Sequence, residues 1–407
     1  MRTRSPVALV TLGLGVVGII VTAVLAPNAR DLFAVAVTIA VATAGALVVA
    51  EHSLRAAHPV VSRAGATVAS VAGLVFLTFF LTPTTNYNLA TAAAVAIVLV
   101  GLSLLTGISG QISLGNGAFM GVGAFTMAIW ANHHSSTPIV VNLAICAVAG
   151  AAVGLALGLP ATRLRGPYLA GMTLAFAVAF AAIESSFNSW TGGDGGLQLP
   201  TEATPPRWLV HLYSAGTAPL KTNTLWLTDI AIVVAGVAVF FMANLFASRV
   251  GRAMRLVRDN DVAAELVGVA LPRTRVLAFI VSSAYAALGG ALLTLIDNAV
   301  SPNTYAFPLS ITMLAVVVIG GIGTISGALI GALIYAYSST VISWFVNHTG
   351  LNPQGNFASQ LKGIIFGGLL ILTMLFAPRG IVGGLRSARR AVPALLRRAS
   401  RPTLTRE

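Results

Sequence analysis

The stretch that decides the fold is LATAAAVAIVLVGLSLLTGISGQISLGNGAFMGVGAF, residues 89–125. Residues 89–105 carry no charged side chain and approach the roughly 20 apolar residues that a helix needs to cross a bilayer. A second apolar run begins at residue 115, after a glycine-rich interval. Because glycine costs a helix interior about 1 kcal/mol relative to alanine, this cluster predicts either a break in the helix or close packing between helices.

Similar apolar runs recur along nearly the whole chain of 407 residues. Hydrophobic residues make up 57% of the sequence and charged residues only 9%, with mean hydropathy +0.89. A soluble domain carries roughly 25% charged residues. The sequence therefore predicts an all-α fold, a polytopic transmembrane helical bundle of about 10–12 spans with glycine-rich broken or re-entrant segments. The spans are expected at residues 7–26, 32–50, 66–81, 89–105, 115–131, 139–159, 167–184, 226–247, 276–296, 308–319, 328–346 and 361–376.

The distribution of Lys and Arg predicts the orientation of these spans. With the amino terminus inside, 20 of the 24 basic residues lie on the inner side, which is the positive-inside pattern. Both termini are therefore expected in the cytoplasm, and the net charge of +13 is explained by topology rather than by binding to nucleic acid. The 22 Arg residues against 2 Lys indicate a GC-rich bacterial genome, and so a bacterial inner membrane.

Composition divides the chain into three parts. Residues 1–85 are expected to form amino-terminal transmembrane helices, and residues 86–380 contain every distinctive motif. Residues 381–407 form a basic tail, whose arginines are expected either to contact anionic membrane lipid or to be solvated.

A second glycine-rich stretch, VVVIGGIGTISGALIGALIYA at residues 316–336, loosely echoes the first. Paired interruptions of this kind can mark a transport path between two structural halves. The alternative is close helix packing through small residues at four-residue spacing. The residues expected to line such a path are Ser109, Gln111, Ser113, Asn116, Gly320, Gly321 and Gly323.

The sequence offers few groups for catalysis. None of its eleven acidic residues falls near the middle of a predicted span, which argues against a proton symporter. Its two lysines, Lys221 and Lys362, are not part of a phosphate-binding Gly-Lys-Ser/Thr motif. The lone Cys146 excludes an intramolecular disulfide and a cysteine metal site. We therefore expect no enzyme activity, metal or cofactor in this chain, and we expect any energy for transport to come from another subunit.

The inner segment SRVGRAMRLVRDNDVAAELVGVALPRTR, residues 248–275, predicts two short helices. Val250, Met254 and Val257 form an apolar stripe at helical spacing, and Asn260 or Asp261 is suited to cap the second helix. Gly268 followed by Pro272 ends that helix. The alternative to this compact knob is an interfacial loop held by positive charge. The residues expected to act in it are Arg252, Arg255, Arg258, Asp259, Asn260, Ala263, Ala264, Glu265 and Gly268.

Several blocks, in order, resemble permease subunits of ABC importers for branched-chain amino acids, the leucine/isoleucine/valine high-affinity type. They begin with GLSLLTGISGQISLGNGAFMGVGAF at Gly101 and continue with RLRGPYLAGMTLAFA, TGGDGGL, SRVGRAMRLVRDNDVAAELVGV, SPNTYAFPLSITMLAVVVIGGIGTISGALIGA and GGLLILTMLFAPRGIVG. Together they cover residues 95–383, whereas residues 1–85 match the family only in being apolar.

The resemblance implies that AAELVG, Ala263–Gly268, is a coupling motif that docks in a cytoplasmic ATPase. In the general importer pattern the acidic residue precedes two alanines, whereas here Glu265 follows them, as is usual in this family. The implied partners are a second homologous permease, two cytoplasmic ATPase subunits that bind the ATP, and an extracytoplasmic substrate-binding protein. The outer loop with Gly192, Gly193, Asp194 and Gly195 is the expected contact for that binding protein, unless these glycines only form tight turns.

Other functions remain open at this point. The same machinery imports urea or short amides in similar permeases, and the sequence does not identify the cargo. A passive channel or facilitator would need no ATPase partner, but it would leave the 248–275 segment explained only by topology. An intramembrane enzyme is the least supported alternative, because no catalytic constellation is present.

Overall fold

The computed structural model describes residues 59–79, 81–134, 137–164, 166–187, 191–199 and 219–349, together with a few positions between 364 and 382. This part of the chain is a helical bundle with a single pair of two-residue strands. The predicted all-α polytopic fold is confirmed. The predicted spans 7–26, 32–50 and 361–376 and the basic tail lie wholly or largely outside the described residues.

Most helices begin and end close to the predicted spans, and proline at the first turn starts several of them. In chain order they are α1 Pro59–Thr78, α2 Pro83–Leu102 with a π-helical extension Ser103–Ile108, α3 Asn116–His133, α4 Ile139–Ala161, α5 Pro167–Ser186, α6 Pro219–Ala247, α7 Arg249–Asp259, α8 Asp261–Leu266, α9 Leu271–Asp297, α10 Phe307–Gly320 and α11 Ile325–Thr349. Two 3₁₀ turns cover Gly193–Gly195 and Pro302–Tyr305, and strands β1 Leu197–Gln198 and β2 Ala299–Val300 pair antiparallel.

Helix α9 lies at the centre of the bundle and packs against α2, α3 and α4. Along α4, the glycines Gly150, Gly154 and Gly158 face Ala287, Ser283 and Phe279 of α9 in turn. A Cβ at any of these glycines would press into α9. The two helices therefore approach through a small-residue seam, as membrane helices commonly do.

The bundle has two distinct ends. At one end α7 and α8 meet the end of α2 and the start of α9, where the Gln111 side chain reaches the Arg275 carbonyl. We call this the basic end. At the opposite, distal end β1 pairs with β2 and the Tyr87 hydroxyl donates to Asp297 at 2.6 Å. Successive long helices therefore connect the two ends, as expected for spans of a bilayer.

Among the described residues, six helical stretches are long and apolar enough to cross a membrane. They lie in α2, α4, α5, α6 and α9 and in the 3₁₀ turn with α10. Two further apolar helical stretches are shorter, namely Arg63–Thr78 of α1 and Ile325–Ser338 of α11. Both glycine-rich segments are broken, because residues 109–115 separate α2 from α3 and residues 321–324 separate α10 from α11. Helices α10 and α11 then pack against each other.

Candidate functional site: the basic end

Helix α7 joins directly onto the end of α6. The Ser248 side chain caps its first turn, and Met254 and Val257 are buried as the apolar stripe predicted. Val250, the third member of that stripe, is instead exposed, and Gly251 lies buried in its place against the end of α6. Arg252 and Arg255 donate to the carbonyls of Ala247 and Phe246, at 2.9 and 3.1 Å. Cations at the carboxyl end of a helix stabilise its unpaired carbonyls, so these arginines fix α7 to α6.

Helix α8 is short and firmly anchored at both ends. The Asn260 side chain accepts a hydrogen bond from the Ala263 amide at 3.0 Å, which confirms the predicted cap. At the other end Gly268 has φ +83°, and the Val269 amide bonds the Ala264 carbonyl at 3.0 Å. This left-handed termination is the reason for glycine at position 268.

One face of α8 holds it to the bundle, and the other faces outward. Ala264 is fully buried against Val257 and Leu271, and Asp261 pairs with Arg275 at 2.6 Å. Glu265 is exposed, as are Val262 (68%), Leu266 (83%) and the adjoining Val267 (68%). The geometry turns the Val262 and Leu266 side chains away from the bundle. The result is an exposed apolar tip on a rigid base, which we call the α8 tip (Val262, Glu265, Leu266, Val267).

A cavity of about 320 Å³ lies between α8 and the residues that follow α2. Ser109 and Gln111 line it on one side, and Arg258, Asp259 and Asn260 line it on the other. The sequence predicted different roles for these two groups, the first in the substrate path and the second in the coupling helix. The structure brings them together at the basic end.

The two glycine-rich segments meet beside this cavity. A Cβ at Gly107 would overlap the backbone of Gly323, and the Gly323 amide donates to the Ser103 hydroxyl at 2.9 Å. Gly321 and Gly323 both have positive φ, which glycine adopts without strain. Gly320 packs on the Gly327 backbone across the α10–α11 hairpin. Of the two hypotheses for these glycines, the contacts directly support close packing, and they occur at the helix breaks.

The remaining polar residues of the predicted path lie deeper in the bundle. Ser113 and Asn116 are buried, and the amides of Leu114 and Gly117 bond the hydroxyls of Thr173 and Ser310, at 2.9 and 2.8 Å. The Asn116 amide nitrogen and the Gln111 side-chain oxygen are buried without a hydrogen-bond partner. Whether these residues contact substrate stays a prediction.

At the distal end, the predicted outer loop forms a tight turn. Gly192 and Gly193 have φ of 71° and 61°, and the Gly193 amide bonds the Thr191 hydroxyl. Gly193–Gly195 form one turn of 3₁₀ helix that leads into β1. The Asp194 side chain lies outside what the structure describes. The turn geometry explains two of these glycines, and binding-protein contact at this loop stays a prediction.

Sequence reasoning missed the partners of the broken segments. Ser103, Thr173 and Ser310 supply hydroxyls to backbone amides near the two breaks, but each looks like an ordinary small polar residue in an apolar span. Their partners lie 59 to 220 residues away along the chain, so no local pattern indicates them. Among the described residues, no three His, Cys, Asp or Glu side chains come together as a metal site.

Comparisons with known proteins agree with the resemblance. The family model described as "Branched-chain amino acid transport system / permease component" matches residues 84–374. The chain is 28% identical to the high-affinity branched-chain amino acid transport system permease protein LivM of Escherichia coli, over 72% of this chain and 69% of that protein. It is 26% identical to BraD, a permease protein of the same kind of system in Pseudomonas aeruginosa, over 73% of this chain and 94% of that protein.

A more distant similarity, 27% over 52% of this chain and 64% of that protein, is to the permease protein LivH of Salmonella typhimurium. No solved structure matches the chain. The family model covers most of the chain, including the helix breaks, the cavity and the α8 tip, and the helices are those of a multi-pass inner-membrane protein. The chain therefore belongs to the permease family of branched-chain amino acid transport systems.

Proposed function

We propose that this chain is a permease subunit of an ATP-binding-cassette importer that moves branched-chain amino acids across the bacterial inner membrane by alternating access. In this proposal the basic end and both termini face the cytoplasm, in keeping with the positive-inside distribution of arginine. Two ATPase subunits bind and hydrolyse the ATP. A second, homologous permease completes the membrane part, and an extracytoplasmic binding protein delivers the substrate at the distal end.

The observation that carries the proposal is the α8 tip. Two large apolar side chains and one carboxylate are exposed on a six-residue helix, and a third apolar side chain, Val267, is exposed directly after it. The base of this helix is fixed by a cap, an ion pair and a left-handed glycine. An interface core needs such apolar anchors on a preorganised element. A solvated loop held only by charge would not need them. The tip therefore supports docking into a cytoplasmic protein, and the resemblance to ABC importer permeases makes an ATPase the expected partner.

The sequence supports an external energy source. It carries no Gly-Lys-Ser/Thr motif, so a phosphate-binding loop has to come from another chain. The α8 tip then has two tasks, which are to hold the ATPase and to transmit its movement to the helices. A passive channel would need neither task.

The proposed substrate rests on the names of the similar proteins. LivM of Escherichia coli and BraD of Pseudomonas aeruginosa are both named as permeases of high-affinity branched-chain amino acid transport systems. Urea or a short amide is the competing cargo, and the transport assay below distinguishes between them.

Exposed apolar faces elsewhere support the expected assembly in the membrane. In the membrane-spanning stretches of α5 and α4, only 22% and 28% of the residues are buried in this chain. On α5 the exposed side chains include Tyr168, Val178 and Ile183. Within a bilayer these faces are available to lipid and to the second permease.

The test is uptake by cells that express the complete system. Glu265→Lys is expected to abolish uptake of labelled leucine and to leave the chain in the membrane, because the change reverses an exposed charge on α8 and touches no described core contact. Arg249→Gln is the matched control, since it changes an exposed charge at the start of α7, away from the tip.

Unchanged leucine uptake in Glu265→Lys would contradict the coupling role of α8. Uptake of urea in place of leucine by the unaltered system would correct the cargo alone. Solute flux through the purified chain in liposomes, without ATPase subunits, would establish a passive facilitator instead.

A further inference from the structure

Arg258 connects α7 to the broken end of α2. Its Nη1 donates to the Gly107 carbonyl at 2.5 Å, across 151 residues of sequence. Its Nε and Nη2 hold the Asp259 carboxylate at 3.1 and 3.0 Å. The aliphatic stem lies against Gly110, where a Cβ would overlap it. The guanidinium is therefore held on both sides, although 44% of the side chain is exposed.

The Gly107 carbonyl accepts this bond because the helix does not continue past it. In a continued α-helix its partner would be the amide of Gln111. That amide instead bonds the Leu105 carbonyl at 3.0 Å, and the Ser109 amide bonds the Leu104 carbonyl at 2.9 Å. A cation at such a carboxyl end is stabilising, since it satisfies a free carbonyl and complements the helix dipole.

The same glycine contacts the second broken segment. Gly107 packs on the Gly323 backbone and on Ile322, in the turn between α10 and α11. The Gly323 amide is in turn bound to Ser103 of α2. A displacement of Gly107 would therefore displace both glycine-rich segments at once.

The surroundings of Arg258 leave room for such a displacement. The 320 Å³ cavity separates the loop at Ser109 and Gln111 from Asn260 and Asp261. This space is not filled by packed side chains, so a small relative shift of its two sides meets little steric resistance.

We propose that Arg258 is the residue that transmits movement of α7 and α8 to the broken ends of α2 and α10. This inference rests on the proposed function, because it assumes that an ATPase moves the α8 tip. Arginine suits the role, since its planar fork holds the Asp259 carboxylate and the Gly107 carbonyl together, which a lysine ammonium on a flexible stem does less well. Arg258 is a positioning residue and touches no substrate.

The test compares transport with ATP hydrolysis in the reconstituted complete complex. Proteoliposomes with the wild type, Arg258→Gln, Arg258→Lys and the control Arg249→Gln are supplied with binding protein and labelled leucine. Arg258→Gln should lower the leucine transported per ATP hydrolysed roughly tenfold, the order expected from losing one charge-assisted hydrogen bond. Arg258→Lys should lie between this variant and the wild type. The control should keep the wild-type ratio.

Copurification of the ATPase subunits serves as the assembly check in every sample. If they are recovered and the ratio is unchanged in Arg258→Gln, or if uptake and hydrolysis fall in proportion, the role of Arg258 is refuted. If Arg258→Gln fails to assemble, Arg258→Lys decides by the same criterion. Failure of the wild type itself to recover an ATPase would refute the proposed function instead.

Discussion

The contact between α3 and α9, which we call the α3–α9 seam (Met120, Gly123, Ala287 and Gly290), and the α8 tip use small and apolar residues in opposite ways. At the seam, Gly123 lies on the Ala287 backbone and Gly290 on the Met120 backbone, so that two helices meet without intervening side chains. At the tip, small Ala264 is the buried anchor, while large Leu266 is exposed. The seam residues stabilise this chain. The tip residues add little to its core, so their apolar surface is available to another protein.

The largest expected effect comes from breaking the seam. Gly123→Leu places a side chain in the Ala287 backbone, which cannot give way as a flexible side chain would. The cost is expected to be about 3 kcal/mol or more, and the folded protein should be lost or strongly destabilised. Thermal unfolding and monodispersity in detergent measure it.

Gly171→Leu is the matched control, because a Cβ at Gly171 of α5 meets nothing within 4 Å. It should keep the wild-type unfolding midpoint. Equal stability of the two variants would show that the seam does not hold the bundle together.

Substitution of Gly268 at the base of the tip is expected to destabilise the chain less than breaking the seam, but to have a large effect on uptake. Gly268 has φ +83°, and a β-branched residue is strained there by about 1–2 kcal/mol. Gly268→Ile should therefore displace the end of α8 and abolish uptake, while the chain stays folded in the membrane. Gly268→Asn should retain most uptake, since asparagine tolerates the left-handed region. Equal uptake by both variants would contradict the need for a rigid base.

The smallest effect is expected from removal of the basic tail. Removal of the residues after Gly384 deletes basic residues but none of the described contacts of the seam or the tip. Uptake should fall mildly at most, and the complex should assemble. Loss of assembly, measured by copurification, would assign the tail a structural role.

Local patterns predicted much of this molecule. The positions of the described helices, the Asn260 cap, the Gly268 termination and the glycine-rich breaks all follow from residues within one or two helical turns. The outward direction of Leu266 could not be predicted in that way, because Ala264 rather than the larger residues fits against Val257 and Leu271.

Such local patterns could not predict the long-range contacts. The bond from Arg258 to Gly107 and the contact of Gly107 with Gly323 depend on how distant helices pack, and any arginine of α7 would have fitted the sequence argument equally well. The glycines of α4 stand at four-residue spacing, but this spacing does not identify α9 as the helix that they contact.

The most direct test of the account is a pull-down of tagged chain in mild detergent from cells that express the complete system, with the wild type beside Glu265→Lys. Copurifying subunits are identified by mass spectrometry. The account predicts that the wild type recovers an ATPase and a second permease, and that Glu265→Lys loses or weakens the ATPase while it keeps the second permease. Equal recovery of the ATPase by both chains would contradict docking through α8, and a wild-type chain that purifies alone would contradict the importer.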